Sequence, residues 1–128
     1  MVATLDIDIT PAITEQGFSE EGTFISLAAE TYVAGTVLGR VTASNKWTPY
    51  VSGAADGSEV PKAILMADVV ATGAAQDIPL FVMISGRTKS SLTIAHGVGP
   101  VTLAEADALR SYGIIVQPVT ELNIYDNS

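Results

Sequence analysis

Residues 53–69 read GAADGSEVPKAILMADV. Asp56, Ser58 and Glu59 put two carboxylates and a hydroxyl beside Gly57, and an apolar run follows at once. Two readings compete. One is a metal or phosphate site on a flexible backbone. The other is a corner where the chain reverses into a buried strand: Asp-Gly supplies the tight turn and Pro61 stiffens entry to Ala63–Met66. Asp56 and Glu59 lack the alternating ligands and distal glutamate of a calcium loop. The corner is the better reading, and it makes the flanking segments strands.

Those segments agree with it. TVLGRVT (36–42) is strand-like, with Gly39 interrupting it. WTPYV (47–51) is β-prone, and Pro49 confines it to an edge or a bend. PKAILMADVVA (61–71) carries the run that follows the corner. IPLFVMIS (78–85) is nearly all apolar, as a strand covered on both faces would be. SLTIA (91–95) alternates, and GIIVQPV (113–119) closes the series. Turn signals separate them: SGAADGS, ATGAAQD, SGRTK and HGVGP. One helix is expected over TLAEADALRSYG (102–113). Thr102 and Glu105 stand at capping-box spacing, and Gly113 ends it. Leu103, Ala106 and Leu109 share the face that would lie on the sheet. Short strands at this spacing indicate a mostly β chain, a compact barrel or sandwich with a little helix.

The chain has 128 residues, enough for one domain with a real core. It is 48% hydrophobic and 16% charged, which marks a globular protein. No apolar run approaches a membrane span, and the N-terminus lacks the basic start and apolar stretch of a signal peptide. With no cysteine, neither a disulfide nor a thiolate enters, which suits a reducing compartment. The net charge of −8 is uneven: residues 1–30 hold six acids and no lysine or arginine, and the other 98 hold eight acids against six bases. An acidic leader repels phosphate backbones, and no basic residues interleave with aromatics. Nucleic acid is therefore not an expected partner, and neither is a membrane.

Within that leader TLDIDIT (4–10) alternates cleanly. Leu5, Ile7 and Ile9 point to one face and Thr4, Asp6, Asp8 and Thr10 to the other. Pro11 ends the segment, and AITEQGFSEEGT is polar and without a sustained period. Residues 1–22 are read as an arm with one strand-forming segment, and 23–128 as the β-rich body. TLDIDIT also fits an ordinary strand of the body's own sheet. A metal role for Asp6 and Asp8 has no further acid or histidine nearby to support it.

Candidate chemistry is sparse. His96, the only histidine, sits in IAHGVGP at a strand end, with no serine or acid placed to suggest a triad. The GVG at 97–99 is too short for a dinucleotide fingerprint. No catalytic, cofactor-binding or metal residues are assigned. Trp47 and Tyr50 in KWTPY are either core side chains or part of a protein contact. Arg87 and Lys89 in GRTKSS make a basic turn, either a solvated hairpin end or a contact for an acidic partner.

The order of segments resembles the phage head decoration proteins, the family of the lambda capsid-stabilising protein. The resemblance rests on FISLAAETYVAGTVLGRVT (24–42), above all AGTVLG, followed by WTPY. It continues through DGSEVPKAILMADVVATG (56–73) and closes on LAEADALRSYGIIV (103–116). The resemblance implies a small β-barrel or β-tulip-like domain with one short helix and an extended N-terminal arm that orders on the capsid. It also implies a non-enzymatic cement protein without cofactors. Such a protein would be made in the host cytoplasm and carried on the virion surface. It would bind the major capsid protein of the expanded head as a homotrimer at three-fold sites. Residues Thr4–Thr10 would then be the capsid-binding segment. The alternative is a small β-barrel that binds a ligand or serves as an assembly module outside a capsid.

Overall fold

Short apolar runs broken by glycine-bearing turns leave the chain little choice but strands. The computed structural model describes residues 13–89 and 92–117, and there it shows twelve strands and one helix. The first six strands are β1 (Ile13–Gln16), β2 (Ser19–Ile25), β3 (Thr31–Tyr32), β4 (Val37–Arg40), β5 (Trp47–Pro49) and β6 (Ala63–Leu65). The next five are β7 (Val69–Val70), β8 (Asp77–Met83), β9 (Gly86–Lys89), β10 (Ile94–Ala95) and β11 (Gly99–Pro100). Helix α1 (Leu103–Ser111) and β12 (Ile114–Gln117) complete the order.

Five strands close a barrel in the order β2-β5-β4-β6-β8. Its neighbours are antiparallel except β2 and β5, which meet in parallel at Phe24 and Trp47 alone. A second sheet, β1-β9-β12, sits beside it, with β1 antiparallel and β12 parallel to β9. Two small ribbons, β3-β7 and β10-β11, fill the remaining corners.

Alternation along three strands divides the core in two. Leu38, Ala63, Leu65 and Val82 join Phe24, Tyr32 and Trp47 in the barrel interior. Their neighbours Val37, Ile64 and Met83 turn outward to Tyr50, Ala95, Leu109 and Ile114, the layer beneath α1 and β12. Strand β6 is thus buried on both faces, which its continuous Ala-Ile-Leu run requires. β8, the segment expected to be covered on both faces, is not: its first half alternates and leaves Phe81 56% exposed.

The segment 1–22 read as an arm overlaps two strands, at residues 13–16 and 19–22. They are laddered strands of the body, and β2 pairs with β8 without a break from Ser19–Met83 to Ile25–Asp77. The alternation was erased at Gly22, where an added Cβ would lie 2.8 Å from the Trp47 indole. Trp47 fills the place that an apolar side chain of β2 would otherwise occupy. The segment Thr4–Thr10 lies outside the described residues.

Helix α1 has the expected start. The Thr102 hydroxyl accepts from the Glu105 N–H at 3.3 Å, and Glu105 Oε1 accepts from the Thr102 N–H at 2.9 Å. Its packing differs from expectation: Leu109 is fully buried, but Leu103 is 78% exposed because only the last turn reaches the layer beneath it. No helix among the described residues is long and apolar enough to cross a membrane.

Candidate functional site

The Asp56–Glu59 corner uses its own carboxylates. Asp56 Oδ1 accepts from the Ser58 N–H at 3.0 Å and the Ser58 hydroxyl at 2.6 Å, and these bonds hold its pKa below the ordinary 3.8. Glu59 Oε1 accepts from the Gly57 N–H at 2.8 Å. Gly57 has φ +111°, a backbone region that glycine tolerates. Ser58, 3% exposed, presses on β4 where Gly39 leaves room, since a Cβ there would stand 2.6 Å from the Ser58 backbone. The corner therefore fastens to the barrel wall. Among the described residues no group of three or more His, Asp or Glu could hold a metal.

His96 is a tie between loops. Its Nε2 lies 3.1 Å from Glu30 Oε2, the same oxygen that the Tyr32 hydroxyl approaches at 3.1 Å. The Tyr32 ring stands 5.0 Å from the imidazole, and its hydroxyl accepts from the N–H groups of Leu27 and Ala28. This cluster joins the β2–β3 loop to the β10–β11 ribbon. Its hydroxyl belongs to a side chain 1% exposed and already engaged, which makes it a poor nucleophile.

Of the residues offered as protein contacts, Trp47 and Tyr50 are core: they are 3% and 8% exposed. Arg40 covers the Trp47 ring at 5.0 Å, and the Glu105 carboxylate in the first turn of α1 acts on Tyr50. Burial and that carboxylate raise the Tyr50 pKa above 10.0. Arg87 and Lys89 are not on a turn. They lie on β9, the middle strand of its sheet, because β1 and β12 flank GRTK from both sides.

The sequence reading missed a groove of about 360 Å³, walled by Leu65 and Ala67–Val70 on one side and Ile78–Phe81 on the other. β6 meets β8 only at Ile64–Met83 and Leu65–Val82, so the strand's first half is laddered to β2 alone. Val70 and Phe81 stand at the groove 67% and 56% exposed. Pro79 was the available signal, since a proline within a strand marks an open edge.

No curated protein matches the chain in sequence. The family model of bacteriophage lambda head decoration protein D matches residues 13–114, from β1 into β12. That span holds every barrel strand, the corner and α1. The family is structural and associated with the phage head, and this chain belongs to it.

Proposed function

We propose that the chain is a cement protein: it binds the expanded head as a trimer at three-fold sites, contacts the major capsid protein there and stabilises the shell without catalysing a reaction. The family match over residues 13–114 carries this reading. The segment TLDIDIT (4–10) serves as the capsid-binding part of the N-terminal arm.

Burial of Leu5, Ile7 and Ile9 contributes at most about 5–9 kcal/mol at the usual value per side chain. Ordering the seven residues of TLDIDIT costs about 7–14 kcal/mol. Side-chain burial alone is insufficient, and backbone pairing with a capsid strand supplies the remainder. Three arms on one trimer raise effective concentration after the first engages.

The test mixes purified protein with expanded and unexpanded head shells and measures the bound fraction. Binding confined to expanded shells supports the reading. Equal binding to both forms, or to neither, refutes it.

A further inference from the structure

Residues 90–104, SSLTIAHGVGPVTLA, are the longest stretch of the chain without an aspartate, glutamate, lysine or arginine. From residue 92 onward the stretch forms the β10–β11 ribbon and leads into α1. Ile94 pairs with Pro100 and Ala95 with Gly99, and the Val101 N–H donates to Thr93 O at 2.9 Å. Side chains of such a ribbon alternate between its two faces. Thr93 and Ala95 are buried, and Ala95 and Val101 pack into the layer beneath α1. Ile94 and Pro100 therefore belong to the opposite face, and Val98 stands at the tip, 82% exposed. Leu92 and Leu103 are exposed near its base. A sheet face turned to water ordinarily carries polar residues; this one is mainly apolar.

The ribbon is fastened to the body. The Ile94 N–H donates to Gly35 O at 3.0 Å, and the Thr93 hydroxyl donates to Lys89 O at 2.6 Å. Two carboxylates at its borders are engaged within the chain: Glu30 Oε2 by His96 and Tyr32, and Glu105 Oε1 by the Thr102 N–H. A partner would meet backbone already in place and a surface without lysine, arginine or a free carboxylate of its own.

Charge selects that partner. A cyclic trimer sets the same residues of three copies around one axis, so each charge near the axis meets two more of its own sign. With a net charge of −8, one copy repels another across charged surface. The chain approaches itself at least cost where it carries no charge and has apolar surface to bury.

We infer that a second copy of this chain covers the face: the three ribbons of a trimer meet about the three-fold axis, with Val98 at the contact. The inference rests on the trimeric decoration reading and names the surface through which the copies join.

The chain has no cysteine, so Val98→Cys introduces its single thiol. Expanded shells decorated with this variant are treated with a three-armed maleimide, and denaturing electrophoresis reads the products. A covalent trimer of this chain is expected, whereas Gly53→Cys, at an exposed loop position, should stay monomeric. Val98→Asp sets a carboxylate at the same exposed site, and a thermal melt verifies that it is folded. It should weaken decoration about tenfold, and the loss should shrink at high salt. Three results overturn the inference: a trimer yield no greater than that of Gly53→Cys, a cross-link to the shell subunit instead, or unchanged decoration by folded Val98→Asp. Three-fold clusters of wild-type protein on imaged shells would then leave the trimeric reading intact. Shells left bare by the wild-type protein, or bearing it as single copies, remove that reading and this inference together.

Discussion

Replacing Gly39 with alanine tests whether the corner at Asp56–Glu59 bears on the barrel. The new Cβ would stand 2.6 Å from both Cα and O of Ser58 and 2.8 Å from its carbonyl carbon. Carbon atoms normally approach to about 3.5–4.0 Å, so the corner must retreat by about 1 Å. It is held where it is by Thr42 N–H to Asp56 O at 2.8 Å and Val51 N–H to Ser58 O at 3.1 Å. Overpacking of this kind costs about 1–3 kcal/mol, and a weakened hydrogen bond adds about 1 kcal/mol. The expected destabilisation is about 2–4 kcal/mol, a large share of the roughly 5–15 kcal/mol that holds a domain together. Urea unfolding followed by the fluorescence of Trp47, which is buried, measures it. Gly53→Ala is the control, because nothing lies within 4 Å of its added Cβ, and it should shift stability by less than about 0.5 kcal/mol. If Gly39→Ala is as benign as Gly53→Ala, the corner does not lean on β4 and its structural assignment fails.

Tyr50, with its pKa raised by burial and Glu105, contributes stability that is complete below its ordinary value of 10.0. That contribution is lost as pH rises through the higher folded value, because the unfolded chain ionises first. Thermal melts should therefore show stability falling above about pH 10, and the fall should be shallower in Tyr50→Phe. Removing residues 1–12 should leave a folded body that decorates shells poorly, whereas removing 1–22 also strips β1 and half of β2 and should abolish cooperative unfolding. Ile7→Pro should reproduce the binding defect of the shorter truncation by deleting a ladder donor; circular dichroism and shell binding separate the cases. His96→Ala breaks the contact with Glu30 and the packing on Tyr32, and should cost about 0.5–1 kcal/mol in denaturant while leaving decoration unchanged.

Strand positions were legible where apolar runs met turn residues, and the corner, the capping box and the end of α1 at Gly113 were readable from chemistry confined to a few neighbours. Distant partners hid the rest. β2 carries a glycine where its inward side chain should be, because the space belongs to Trp47 from another strand. GRTK resembles a turn by composition, yet strands from opposite ends of the described chain enclose it. IPLFVMIS suggested full burial, but β6 is too short to cover β8 along its whole length. His96 seemed solitary because Glu30 lies 66 residues earlier. The family likeness was visible in segment order, but the groove emerges only once β7 and β8 are side by side.

Imaging of expanded head shells saturated with the protein tests the central claim most directly. The account predicts added density in clusters of three at the local three-fold positions, each copy a barrel with its N-terminal segment running onto the shell. Isolated single copies away from those positions, or shells left bare at saturating protein, would contradict it.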